Sequence, residues 1–422
     1  MKYDKVFMGS YNLHLINTDK FKTVTVEVDF RNKLENDTTI RNLLKMVLLD
    51  SNKNFKTERE LVKETENLYD LKLVSSNNRI GTNTNMTFKI RFLEESYTEK
   101  SMNEESILLL FDIIFNPNIT NDSFDEKIVN KCKEKLKKSI ISIKDNKLKY
   151  ALLKLFETTK DMPYSRNGYG DILELEKIDG KILYDYYKKM LKNDMVDVFV
   201  VGNIDNDKIK ELFREKFKIE TFKKTNNGIL VNELDKRKRI NKVQVFDEVN
   251  QTQLTYLCSL HNLTDFERSY VIKVYNEILG GGSNSLLFSN VREKNSLAYY
   301  INSAVKSYDN IMFIYSGISS ENINKATKLI KNTLKQIEKG NFSTELLNSS
   351  KETITSGIIA SMDNPTGIIN TYFAHELVGS ELFEERIEKF NSITKEDIIN
   401  VSKKILLHTM LTLQKGENNE DN

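Results

Sequence analysis

The chain has 422 residues, 39% of them hydrophobic and 29% charged, a globular composition too long for one ordinary core, so two domains of about 200 residues are expected. Its 63 basic and 61 acidic side chains leave a net charge of +2. That near-balance argues against a nucleic-acid binder, which needs a basic excess to neutralise phosphates.

In chain order, residues 1–22 hold scattered polar residues and no apolar stretch of the signal-peptide kind. Alternation predicts strands at Thr23–Val28 and Thr87–Phe92. Thr57-Glu58-Arg59-Glu60 reads as a capping box at a helix start. The lysines of 131–138 are interleaved with Glu134 and Leu136, which reads as a solvated helix face. An apolar helix pattern then ends near Phe156, and a helix opened by Ile178-Asp179 leads to a strand at Val196–Val201. The polar stretch 219–240 reads as a linker, with a short strand possible at Gly228–Val231. Further strands are expected at Gln253–Leu260, Met312–Gly317 and Met410–Gln414, and Thr394 with Asp397 gives a weaker cap. The tail from Gly416 is polar and acidic. Cys132 and Cys258 are too few for a disulfide framework or a thiolate metal cluster, and no apolar run reaches the roughly 18 residues of a membrane span. A cytoplasmic chain is the expectation.

The chain also repeats itself at a spacing of about 215 residues. Ser139-Ile140-Ile141-Ser142 through Asp145-Asn146 is matched by Ser356-Gly357-Ile358-Ile359 through Asp363-Asn364. The helix carrying Lys188-Lys189-Met190-Leu191 is matched by one carrying Lys403-Lys404-Ile405-Leu406, and each precedes a strand. Three elements in the same order predict an α+β chain of two homologous domains, 1–218 and 241–422, each a mixed sheet packed on helices.

The most specific stretch is Leu279-Gly280-Gly281-Gly282-Ser283-Asn284-Ser285, continued by Val291-Arg292-Glu293 and Leu297-Ala298-Tyr299-Tyr300. Its glycines suggest a turn and Ser283–Val291 a helix. No Gly-Lys-Ser/Thr follows, so a phosphate cradle does not fit. The segment resembles the second-domain signature of the M16 (pitrilysin/insulinase) peptidases: a glycine-rich turn, a helix ending in Arg-Glu, then Leu-Ala-Tyr. Pro163-Tyr164 with Gly168 and Gly170, then Tyr186-Tyr187, resembles the family's Pro-Tyr…Gly loop and the helix after it. Val200-Val201-Gly202-Asn203-Ile204-Asp205 resembles its strand-ending segment, and Asp363-Asn364-Pro365 its acidic turn. The resemblance implies the LuxS/MPP-like metallohydrolase fold.

Active members carry His-x-x-Glu-His on a first-domain helix, where two imidazoles hold zinc and the Glu serves as general base. Aligned on Val47-Leu48-Leu49, that motif falls on Asn42, Lys45 and Met46, and the third ligand near Lys138 or Ser139. No zinc is expected in this chain. The four histidines, His14, His261, His375 and His408, form no ligand pair, although His375-Glu376 imitates the start of a zinc motif until Gly379. Nothing marks a nucleophilic triad.

Arg292 and Tyr299 remain. Read without the resemblance, they are a surface cation and a core aromatic. The resemblance is to the metal-less subunit of the bacterial two-subunit type, in which such a pair binds substrate in trans. It implies a zinc-bearing M16 paralogue as partner, encoded by a neighbouring gene, and an unfolded peptide as substrate. The alternative is a purely structural or assembly protein.

Overall fold

A computed structural model describes residues 1–220 and 228–416. Residues 221–227 of the expected linker and 417–422 of the tail lie outside the described residues. Contacts gather the chain into two units. One comprises Met1–Ile141, Asn167–Gly228 and Ser361–Phe373, the other Ser142–Arg166, Ile229–Ala360 and the chain from Ala374 onward.

The first unit holds β1 (Lys2–Phe7), β2 (Asn12–Asn17), β3 (Thr23–Lys33), β4 (Lys72–Ile80) and β5 (Asn83–Leu93), a small hairpin of β6 (Ile119–Thr120) and β7 (Ser123–Phe124), and β8 (Met195–Gly202). Its main sheet runs β1-β2-β8-β3-β5-β4. All pairings are antiparallel except β2 with β8. Alternation sends Val24, Val26, Val28 and Phe30 of β3 to one face, with Phe88 and Ile90 of β5 and Val196 and Val198 of β8. That face joins one apolar core with Leu43, Leu44, Val47 and Leu48 of the helix Thr38–Asp50 and Ile107, Leu110 and Ile114 of the helix Met102–Phe115.

The opposite face is polar yet buried. Asp197 of β8 receives Arg31 Nη2 at 3.0 Å and Asn12 Nδ2 at 2.8 Å, with His14 Nε2 at 3.5 Å. Burial alone would raise its carboxyl, but these partners hold it down to about 2. Asp29 stands beside it in the ladder. Its Oδ1 accepts from Asn85 Nδ2 at 2.7 Å and Thr87 Oγ1 at 2.6 Å, while Oδ2 has no partner among the described residues. The segment Ser361–Phe373 packs on this face: Phe373 lies 5.8 Å from the Arg31 guanidinium carbon, and Lys89 Nζ donates to Thr366 Oγ1 at 3.3 Å.

The second unit holds β9 (Asn241–Asp247), β10 (Thr252–Leu260), β11 (Ala298–Lys306), β12 (Ile311–Ile318) and β13 (Ile405–Lys415), in the order β11-β12-β10-β13-β9. Only β13 with β9 is parallel. The run β11-β12-β10-β13-β9 therefore repeats β4-β5-β3-β8-β2 in both order and direction, so the two homologous mixed-sheet domains read from the sequence are present. On one face, Leu257, Phe313, Leu411 and Leu413 pack with Ala151 and Leu155 of the helix Lys147–Glu157. The duplicated segments thus serve crosswise: the helix from the first half covers the second sheet, and 361–373 from the second half covers the first.

Outside the candidate site, local expectations differ from the structure in three places. The helix expected to contain Lys403–Leu406 ends at Ser402, because Ile405 and Leu406 pair with Leu260 and Ser259 and belong to β13. Thr394 and Asp397 form the full reciprocal capping box, whereas Glu60 accepts from Lys56 N rather than from its cap Thr57. Gly228–Val231 forms no strand; Val231 N donates to Tyr308 O at 2.8 Å, and Ile229, Val231 and Leu234 are buried.

Two predictions follow from the covered faces. Burial first, then the charge of Glu27, pushes the Asp29 carboxyl up to about 8. The fold then keeps a proton that the unfolded chain releases near 4, so this group's contribution to stability falls as pH rises from about 4 to about 8. Asp29→Asn should flatten that slope and raise the urea midpoint at pH 8 relative to pH 5. Separately, a fragment 229–422 lacks Lys147–Glu157 and should aggregate or bind a hydrophobic dye, while the same fragment co-expressed with 1–228 should recover a cooperative unfolding transition.

Candidate functional site

The helix Thr38–Asp50 is anchored at its start by Arg41, one of the most deeply buried side chains. Its Nε meets Asp37 Oδ2 at 3.0 Å and its Nη2 meets Asp194 Oδ2 at 2.6 Å, while Tyr186 donates its hydroxyl to Asp37. Asn42, the next residue, is also buried, and its Nδ2 donates to Thr38 O at 3.0 Å, Gly168 O at 2.9 Å and Tyr169 O at 3.3 Å. The loop it binds is tightly fitted. Gly170 has φ +109, and a Cβ there would stand 2.6 Å from Thr39 Oγ1.

Lys45 follows one turn on, half-buried, with no hydrogen bond or ion pair to its ammonium among the described residues. Burial lowers its pKa. Met46 packs against the first unit's core. Near the expected third-ligand position, Lys138 is exposed and Ser139 Oγ donates to Lys135 O at 3.2 Å. The residues present do not fit zinc: an amide spent on backbone carbonyls, an ammonium and a core thioether supply no imidazole or carboxylate. Among the described residues, no group of three or more His, Cys, Asp or Glu side chains could hold a metal ion.

The histidines have structural places. His14 stacks on Phe199 at 4.3 Å. His375 caps its own helix end, with Nδ1 2.8 Å from Ser380 O, and Gly379 takes the left-handed conformation there. His408 lies 2.9 Å from Thr409 Oγ1. His261 forms an acid–imidazole–hydroxyl relay that sequence reasoning missed: Nδ1 is 3.0 Å from Glu233 and Nε2 is 2.8 Å from Ser259 Oγ. The i, i+2 spacing of Ser259, near the end of β10, and His261, just beyond it, was the available signal. Ser259 is 1% exposed and Glu233 also accepts from Asn262 N, so the relay fastens the segment around Glu233 to the end of β10 rather than meeting a substrate.

Arg292 and Tyr299 flank the turn from the glycine-rich stretch into β11. The helix expected over Ser283–Val291 instead starts after Ser285 and winds with wide, π-type turns over Phe288–Glu293. Ser296 N closes onto Arg292 O at 2.9 Å and Leu297 N onto Val291 O at 3.1 Å. Arg292 is exposed, its guanidinium 4.8 Å over the Phe288 ring. β11 is the edge of its sheet, and its register slips between Ala298 and Tyr300, which pair with the adjacent Ile318 and Gly317. Tyr299 is therefore the extra residue of a bulge, a device that re-aims a side chain. It is 81% exposed, so the core-aromatic reading is overturned. Tyr300 takes the inward role, donating its hydroxyl to Gln253, and Gly317 makes room for it: a Cβ there would lie 2.7 Å from Tyr300 Cε1.

Comparison with known proteins agrees with this geometry. Residues 177–354 match the family model described as Peptidase M16 inactive domain. The chain is 29% identical to the probable inactive metalloprotease YmfF of Bacillus subtilis, over 97% of both chains. It is 24% identical to the uncharacterized zinc protease YmxG of the same organism, over 91% of this chain and 95% of that one. A conserved protein from Enterococcus faecalis superposes with a TM-score of 0.92 at 26% identity, both chains fully covered. A peptidase M16 inactive domain from Pseudomonas fluorescens shares the fold at a TM-score of 0.80 and 15% identity, over 99% of this chain and 98% of that one. With sequence matches along almost its whole length, a shared fold and the Gly-rich turn, Arg-Glu helix and Leu-Ala-Tyr strand in order, the chain is similar to the M16 peptidases, and residues 177–354 match their inactive domain.

Proposed function

We propose that this chain is the non-catalytic subunit of a two-subunit M16-type zinc peptidase, binding an unfolded peptide and lending Arg292 and Tyr299 to the active site of a zinc-bearing paralogue. The observation that carries the reading is Tyr299: a tyrosine 81% exposed on a bulged edge strand, beside a second tyrosine turned inward. An exposed aromatic held by a bulge is aimed outward by the backbone. The erased zinc motif supports the same reading, because Asn42 and Met46 have taken structural work instead of coordination. So does the name of YmfF, a probable inactive metalloprotease.

A peptide would add to an exposed sheet edge, with main-chain hydrogen bonds giving affinity. Arg292 would fork onto a peptide carbonyl or carboxylate, and the Tyr299 phenol would donate to the scissile carbonyl oxygen as it gains charge. Zinc enters only with the partner subunit, whose gene is expected to neighbour this one. The buried, unbridged Cys132 and Cys258 suit a cytoplasmic assembly.

The isolated chain should show no peptidase activity and should carry no zinc by elemental analysis. Co-purified with its paralogue, Tyr299→Phe and Arg292→Ala should leave the mass of the complex unchanged on gel filtration and lower turnover of an unstructured peptide. For Tyr299→Phe, loss of one oxyanion donor sets the scale at about 100-fold. Unchanged turnover in both variants would favour the assembly-protein reading, and loss of the complex would make the two residues structural.

A further inference from the structure

The glycine-rich turn borders a pocket that the peptidase reading does not use. It lies within the second unit and is lined by Glu277, Gly282, Ser283, Asn284 and Ser285, and by Leu346, Ser349, Ser350 and Thr353 of the helix Thr344–Ser361. Its volume is about 120 Å³. The glycines bring the carboxylate to the wall. A Cβ at Gly281 would stand 2.6 Å from Glu277 Oε2, and one at Gly282 would collide with Oε1.

The lining carries charge of one sign only, beside neutral hydroxyls and the Asn284 amide. Glu277 is the one charged group, and no hydrogen bond or ion pair reaches its carboxylate among the described residues. Ser349 Oγ donates to Leu346 O at 3.1 Å and Thr353 Oγ1 to Ser349 O at 2.9 Å, so both hydroxyl protons are committed to the helix backbone. Their remaining lone pairs can only accept. Ser285, 1% exposed, lines the pocket with an Oγ that has no hydrogen-bond partner among the described residues. A half-buried carboxylate among acceptor oxygens is costly while unpaired, and burial accordingly pushes the Glu277 carboxyl up.

We propose that this pocket binds a primary ammonium group, above all a lysine side chain of a bound polypeptide. An ammonium carries three donors and no acceptor, which matches one carboxylate and several hydroxyl lone pairs. Leu346 offers an apolar wall for the methylene stem. An anion is excluded by Glu277 and by the lack of any cationic lining residue. A divalent metal is disfavoured by the single carboxylate.

The test titrates the full chain with Nα-acetyl-lysine N-methylamide, Nα-acetyl-norleucine N-methylamide and glycylglycine N-methylamide, following backbone amide shifts around Gly282 by NMR. The lysine probe should bind saturably at one site and the norleucine probe should not. Saturable binding of the glycyl probe alone would assign the ammonium to a chain terminus, keeping the pocket's chemistry and replacing lysine as its source. Glu277→Gln should weaken the amine about tenfold or more, in line with loss of a charge-assisted bond. Affinity should also fall as pH is lowered through the raised carboxyl titration, since the protonated acid offers no charge. If Glu277→Gln proves unfolded by circular dichroism, Thr353→Val, which keeps the shape and removes an acceptor, should weaken binding severalfold. No saturable binding of either amine, or unchanged affinity in the folded variant, overturns the proposal. Loss of the amine site would leave the Arg292 and Tyr299 reading untouched, because the assay needs neither partner nor turnover.

Discussion

The buried guanidinium of Arg41 is the constraint that sets the helix Thr38–Asp50 against the first unit's sheet. It bridges Asp37, just before the helix Thr38–Asp50, to Asp194, just before β8. Two carboxylates buried around one cation are tolerable only while the cation stays, since removing one member of such a cluster leaves uncompensated charge. The bridge fixes where the helix begins relative to the sheet. The next residue, Asn42, then lies within reach of three backbone carbonyls and needs no metal to satisfy it. A zinc site orders its ligands by coordination; here an amide and an ion cluster hold the same helix start by hydrogen bonds.

The two sheets share one ladder pattern but bury their faces differently. In the second unit, the helix Lys147–Glu157 meets apolar Leu257, Phe313 and Leu411. In the first, 361–373 meets Arg31 of β3 and Lys89 of β5, beside the Phe199 ring of β8. The duplicated sequence therefore supplied equivalent covers, while the covered surfaces diverged. Polar groups on a buried face demand mutual satisfaction. The Asp197 carboxylate achieves it through Arg31, Asn12 and His14, whereas Asp29 leaves one oxygen unmatched among the described residues and burial raises its pKa.

Much of this was legible in the residues. Period-2 alternation located β3, β5, β10 and β12, and the ordered repeat anticipated two sheets of one topology. The boundary after Ser402 was not legible, because Lys-Lys-Ile-Leu suits a helix as well as a strand and only pairing with β10 decides it. The reciprocal use of 142–166 and 361–373 was also hidden, since an apolar helix face does not state which sheet it covers. At the site, the lack of zinc ligands at Asn42, Lys45 and Met46 could be read from residue type alone. The exposure of Tyr299 could not: in Leu-Ala-Tyr-Tyr, one aromatic must face in and one out, and a one-residue register slip chooses between them. In the Glu233–His261–Ser259 relay only the Ser259–His261 spacing is local, while Glu233 reaches His261 across 28 residues through tertiary packing.

The bulge also explains why an edge strand can keep an exposed tyrosine without becoming a hazard. A flat edge with free amides and a large apolar side chain invites uncontrolled pairing with other chains. A bulge interrupts the amide row and twists the strand locally, so addition of a partner strand is restricted at that end while the phenol still projects. Gly317, small enough to admit the Tyr300 ring, is the cost of that arrangement on the neighbouring strand. The inward tyrosine holds the slipped register through its bond to Gln253, and the outward one is left with no structural employment. In the proposed trans-acting role, that projecting phenol would contribute once a peptide lies against it.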